Sequence, residues 1–185
     1  MTTVLYSGNM GNTHDIESIL AVVRELKDHE TIRFLFIGEG AKWPLVEKTI
    51  SAEGLDNVTL LPFQPEDILP YSMATGDIGI VAYQAGTEHC IVPSKIYYYM
   101  AAGAVPLVIA GRDTDLSRML DDNHCGLSVR TGDIEGMKRA ILSLADDSEL
   151  LGRYKKAARV TVERQFSRSN TKRFIDALRQ FGTMN

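Results

Sequence analysis

Lys95 opens the short apolar segment Lys95–Ala102, and its position is chemically unusual. The first turn of a helix carries a partial positive charge and prefers acids, so a lysine there argues for an anionic partner. Ser94 directly before it belongs to the class of residues that cap helix N-termini. Gly103 directly after the segment belongs to the class that ends helices. An all-apolar run, Val105–Ile109, follows and reads as a strand buried on both faces. A loop that ends in a helix N-terminus beside a parallel sheet points unpaired N–H groups into a crevice, where Lys95 would add a mobile positive charge. His89, in the loop upstream, is a further polar candidate; the competing reading is an idle, solvent-exposed loop histidine.

A second candidate is Gly8-Asn9-Met10-Gly11-Asn12, between an apolar strand and a helix. Gly8 and Gly11 permit a tight turn and close backbone approach to a phosphate. The spacing is not the G-x-G-x-x-G of a dinucleotide site. A plain strand-to-helix turn explains it equally well, because Asp15 and Glu17 already complement the helix dipole. Each of the two cysteines follows a histidine, giving His89-Cys90 and His124-Cys125. Such pairs could supply four zinc ligands. Adjacent residues rarely ligate one metal together, so coincidence is the better reading, and no metal or cofactor is expected. There is no C-x-x-C motif and no disulfide framework.

The elements that must hold these residues alternate from end to end. Strand patterns at Thr3–Tyr6, Ile32–Ile37, Val58–Pro62, Asp77–Tyr83, Val105–Ile109 and Gly126–Val129 are separated by helical patterns. The helical patterns are His14–Leu26, Ala41–Ala52, Pro65–Ala74, Lys95–Ala102 and Leu116–Leu120. Ile16, Ile19, Leu20 and Val23 recur at helical spacing, as do Ile134, Met137, Ile141 and Leu144. Strands spaced by helices imply right-handed crossovers and a parallel, doubly wound sheet. The expectation is one Rossmann-like α/β domain over residues 1–185, with about six parallel strands and helices on both faces. Ser148–Arg164 and Asn170–Phe181 add two C-terminal helices with no strand between them.

Composition narrows the partners. The 185 residues are 44% hydrophobic and 24% charged, with a formal net charge of -4 and no basic stripe, which argues against nucleic acid. No apolar run approaches the ~18 residues of a membrane helix, and the N-terminus lacks a secretory signal layout. A cytoplasmic setting is expected.

The run from Pro93-Ser94-Lys95 through Tyr97-Tyr98-Tyr99-Met100-Ala101 to Gly103 and Pro106 resembles the donor-site motif of the group 1, two-Rossmann-domain, retaining glycosyltransferases. The resemblance extends over nearly the whole chain. Gly38-Glu39-Gly40 is similar to the family's Gly-x-Gly, and Leu60–Ile68 to its base-recognition loop, with Gln64 passing the nucleobase edge. Met73–Val81 and Asp133–Ala145 match further segments in order. The resemblance implies the donor-binding half of a transferase that moves a sugar from a nucleotide-diphosphate sugar to an acceptor. The acceptor site would lie on an N-terminal domain absent from this chain, so the chain alone is expected to be inactive.

Departures from the family pattern are specific. Asn9 and His14 stand where an arginine and a lysine commonly neutralise the diphosphate. Two glutamates, one near the transferred sugar and one on the ribose hydroxyls, align with Cys90 and Tyr98. Neither replacement accepts a pair of hydroxyl bonds as a carboxylate does. Glu88 could replace the first by a loop shift, which makes Glu88 and Lys95 the catalytic candidates. Gly8, Gly11, Gln64, His89, Ser94 and Tyr98 are the substrate-binding ones. Helical geometry separates neighbours by about 100°, so one of the three consecutive tyrosines should line the crevice. The lost carboxylates also suit a non-catalytic sugar-nucleotide or partner-binding module, and a sugar-nucleotide epimerase of the same architecture is a third reading. A dinucleotide oxidoreductase is disfavoured by the missing fingerprint.

Overall fold

A computed structural model describes residues 1–86, 94–111 and 114–167. Glu88, His89, Cys90 and the expected helix Asn170–Phe181 lie outside them. Six strands run in the order β3-β2-β1-β4-β5-β6: β1 (Thr2–Ser7), β2 (Ile32–Ile37), β3 (Val58–Leu61), β4 (Ile78–Ala82), β5 (Val105–Ala110) and β6 (Leu127–Arg130). All five pairings are parallel, with Val4 beside both Phe34 and Ile78, and Ile80 beside Leu107. This is the doubly wound order in which the sheet reverses direction beside the first strand, leaving a crevice at the carboxyl ends of β1 and β4.

Period-two alternation splits the interior into two cores. Val4, Tyr6, Ile78, Ile80, Leu107 and Ile109 face one side of the sheet, where they meet α1 (Ile16–Glu25) and α6 (Ile134–Ala145). Leu5, Val81, Val108 and Ala110 face the other, against α4 (Lys95–Ala102) and α5 (Asp115–Asn123). Every residue of β5 is buried, as its all-apolar run predicts. The edge strands β3 and β6 keep a half-exposed alternation.

Helix starts differ from the sequence expectation, and each difference has a local cause. α2 (Trp43–Glu53) and α3 (Leu69–Ala74) begin later than the periodicity suggests because Pro44 and Pro70 are tolerated only in a first turn. α1 begins at Ile16 because the Asp15 side chain accepts the Ser18 N–H at 3.1 Å and fixes the start. Asp133 caps α6 in the same way, accepting from Gly136 at 2.8 Å.

α7 (Ser148–Gln165) runs across the amino ends of the strands. Its Leu150, Leu151 and Tyr154 pack on the first core, and its Ala158 and Val162 belong to the second. Lys155 pairs with Asp77, just before β4, and the Asp77 carboxylate also accepts the Thr3 N–H at 2.8 Å. Arg159 donates to the carbonyl of Ala101 on α4. The sheet is therefore closed at the end opposite the crevice.

Candidate functional site

The loops after β1 and β2 extend the sheet beyond its strands. Gly8 donates to the Ile37 carbonyl at 2.8 Å, Met10 to Glu39 at 2.7 Å, and Lys42 to Met10 at 2.8 Å. This approach explains Gly38-Glu39-Gly40. Gly38 has φ +148°, and a Cβ there would collide with the Gly8 carbonyl. Gly40 has φ +138°, and a Cβ there would overlap Asn9 and Met10. The chain leaving β4 joins the same cluster, since Gln84 donates to the Thr13 carbonyl at 2.8 Å.

α4 is phased by its core residues Ile96, Tyr99 and Met100. Tyr99 is fully buried, and its ring covers Gly79, where any Cβ would overlap it. Its hydroxyl accepts the Ser7 N–H at 2.8 Å, which fixes the end of β1; burial holds that hydroxyl above its ordinary pKa. Tyr97 stacks on Phe166 with centroids 4.6 Å apart. Tyr98 is 54% exposed and is the one of the three tyrosines that lines the crevice.

Ser94 holds the N-cap position of α4 without acting as a cap. With φ -55° and ψ -27° its backbone is already helical, whereas a capping side chain needs an extended backbone to reach the N2 and N3 amides, and no side-chain cap bond forms. The first turn of α4 keeps its donors, and Lys95 sits there.

The Lys95 ammonium is out of solvent and has no hydrogen-bond partner among the described residues. It lies 4.1 Å from the centroid of the Tyr6 ring and beside Gly8, 3.5 Å from where a Cβ would stand. Burial pushes its pKa down to about 8. His14 meets the Tyr6 ring edge-on at 6.4 Å. Burial, aided by the positive charges of Lys95 and Lys42, holds the imidazole below its ordinary value, and a hydrogen bond with the Gly11 backbone opposes them. Lys42 is engaged elsewhere, donating to the His14 carbonyl and to Glu17, each at 2.7 Å.

Five of the residues picked from sequence, Gly8, Gln64, Ser94, Lys95 and Tyr98, line a single cavity of about 190 Å³, together with Phe63. Gln64 donates to the Pro62 carbonyl at 2.9 Å within its own loop. Gly11 is outside the lining and packs beside Asn9 and His14. Of the other His-Cys pair, His124 is exposed and ends α5 in a left-handed conformation, while Cys125 is buried in the second core, so the two do not face one point. Sequence reasoning missed Tyr6, Phe63 and Lys42. Tyr6 reads only as a core strand residue, and the one hint of Lys42's partner is an acid, Glu17, in the facing first turn. A larger hollow of about 440 Å³ lies at edge strand β6, where Arg130 and Arg139 alternate with Asp121 and Asp133. No buried charge comparable with Lys95 faces that hollow among the described residues.

The family model for Glycosyl transferases group 1 matches residues 2–147. The chain is 28% identical over 178 residues to the protein described as a colanic acid biosynthesis glycosyl transferase, WcaI, of Escherichia coli K12. That match covers 95% of this chain and 42% of WcaI. In structure it is similar to the C-terminal domain of the group 1 family protein LpcC from Francisella tularensis, with TM-score 0.74 and 15% identity. The match covers 90% of this chain and 87% of that one. It is also similar to Anabaena HepE in complex with UDP-glucose, with TM-score 0.76 and 14% identity, covering 96% of this chain and 48% of HepE.

Proposed function

The chain belongs to the group 1 glycosyl transferases, and on that premise we propose that it is the donor-binding half of a retaining enzyme acting on a nucleotide-diphosphate sugar. The observation that carries the reading is the Lys95 ammonium, buried and unpartnered among the described residues, at the carboxyl end of a parallel sheet and against the Gly8 turn. A buried charge is costly unless something pairs with it, and a diphosphate would do so with charge-assisted bonds. In this reading Lys95 and the first-turn N–H groups of α4 hold the leaving diphosphate, stabilising the charge that develops as the glycosidic bond breaks. Gln64 and Phe63 flank the nucleobase and Tyr98 stands at the ribose. Glu88 and His89 lie outside the described residues, and they stay candidates by their place in the sequence, Glu88 for the role near the transferred sugar and His89 as a polar contact. Gly11 shapes the first turn from outside the cavity.

The chain spans less than half the length of WcaI. The acceptor site therefore belongs, in this proposal, to an N-terminal domain, and the isolated chain is inactive. No helix among the described residues is long and apolar enough to cross a membrane, and a cytoplasmic setting is part of the same proposal. Tyr98 supports a second reading, a module that binds sugar nucleotides without catalysis, because its side chain offers the ribose a single hydroxyl where the family has a carboxylate.

Calorimetric titration of UDP, GDP and ADP into the purified chain tests the donor reading. One of them should bind, and Lys95→Ala should weaken it; equal binding by both proteins would reject the assignment. Product analysis of the two-domain protein then separates transfer from epimerisation and from binding alone.

A further inference from the structure

One buried side chain touches both halves of the crevice. Tyr6, at the end of β1, is 1% exposed. Its hydroxyl donates to the Asn9 carbonyl at 2.7 Å, within the Gly8–Gly11 turn. Its ring carries the Lys95 ammonium at 4.1 Å, 89 residues further along the chain, and meets His14 edge-on. From behind, Phe36 packs on the ring with centroids 5.9 Å apart, so the ring cannot retreat into the core. Burial, with Tyr99 nearby, holds the phenol above its ordinary pKa, which keeps it a neutral donor.

We propose that Tyr6 is the positioning residue of the site, its ring holding the Lys95 ammonium against the Gly8 turn and its hydroxyl holding the turn itself. The proposal rests on the diphosphate reading only for what Lys95 is positioned to do. The ring face is electron-rich and substitutes for a counter-ion while the crevice is empty, without competing with an anion as a carboxylate would. The hydroxyl bonds the Asn9 carbonyl and so ties the turn to the end of β1. Ring and hydroxyl thus perform separable tasks, and substitution can separate them.

The test uses the full chain with Tyr6→Leu and Tyr6→Phe and two readouts. The first is acetylation of individual lysines by limiting acetic anhydride at pH 8, followed by mass spectrometry. Tyr6→Leu should speed acetylation of Lys95 at least fivefold and leave the ion-paired Lys42 unchanged, whereas Tyr6→Phe should change Lys95 by less than twofold. The second is UDP affinity, with and without Lys95→Met. Tyr6→Leu should weaken UDP at least fivefold alone and less than twofold in the Lys95→Met background. Tyr6→Phe should raise hydrogen exchange across residues 8–12 and weaken UDP two- to fivefold. Continued protection of Lys95 in Tyr6→Leu, or equal weakening in both backgrounds, overturns the proposal. If Lys95→Met alone leaves UDP affinity unchanged, the diphosphate reading fails, and the acetylation result alone decides whether Tyr6 positions Lys95. Tyr6→Met replaces Tyr6→Leu if that variant does not fold.

Discussion

The turn into α1 supplies its own anion, whereas the first turn of α4 supplies a cation that has no hydrogen-bond partner among the described residues. At α1 the Asp15 carboxylate caps the first turn and Glu17 follows, itself paired with Lys42. At α4 the capping position makes no cap bond, and the residue behind it is Lys95. Both turns open on one crevice, and the more conspicuous glycine-rich sequence belongs to the first. The lesson is that glycines mark where backbone comes close, while the charge balance of the adjoining helix marks where a phosphate can sit. The first turn is a wall, shaped by its contact with Gly38 and Gly40; the second is the anion seat of the proposed function.

That contrast can be broken by substitution. Lys95→Ala should cost about 1–3 kcal/mol of nucleoside diphosphate affinity by calorimetry, with no loss of melting temperature, because the buried charge that disappears has only the Tyr6 ring face and no hydrogen bond to offset its desolvation. Unchanged affinity would make the two turns equivalent and the contrast empty. The same lysine sets a pH dependence. Affinity should decline as pH rises through about 8, where the free protein gives up the Lys95 proton. Stability should move the opposite way. From about pH 8 up to the ordinary lysine value the unfolded chain holds the proton and the folded one does not, so unfolding free energy rises with pH across that window.

Asp15→Ala should do the reverse of Lys95→Ala: about 1 kcal/mol of stability lost in denaturant titration, with diphosphate affinity changed less than about twofold. A large affinity loss there would move the anion seat to α1. The smallest effect is expected from Tyr98→Glu. Because Tyr98 is exposed on the crevice wall, the carboxylate should fit without loss of melting temperature and tighten nucleotide binding by roughly 0.5–1 kcal/mol through the ribose hydroxyls. Weaker binding would show that the ribose is held elsewhere.

The doubly wound sheet was legible because strand and helix periods alternate without interruption, and β5 announces itself by composition alone. What blurred were helix starts: Pro44, Pro70 and Asp15 are each written in the sequence, but periodicity outvotes them unless first-turn chemistry is read before the apolar stripe. Ser94 misled for a different reason, since capping depends on backbone angles that residue type does not reveal. The tyrosine triplet was half legible. Ile96, Tyr99 and Met100 share a face at i, i+3 and i+4, which buries Tyr99, yet the choice between Tyr97 and Tyr98 is made by Phe166, just past the end of α7. Tyr6 was hidden altogether, because its partner is 89 residues away and no local pattern encodes that contact.

The diagonal course of α7 beneath the strands has a consequence for synthesis. A ribosome that has released residues 1–147 has delivered every strand and the whole crevice, but the amino ends of β1 and β4 lack Lys155, and α4 lacks Arg159. The nascent domain at that moment resembles a vault standing before its tie-beam is set. Its second core is still open to water where Ala158 and Val162 will pack. The crevice end is thus assembled before the closing helix arrives, and in the interval between them the second core exposes apolar surface that favours association with other chains.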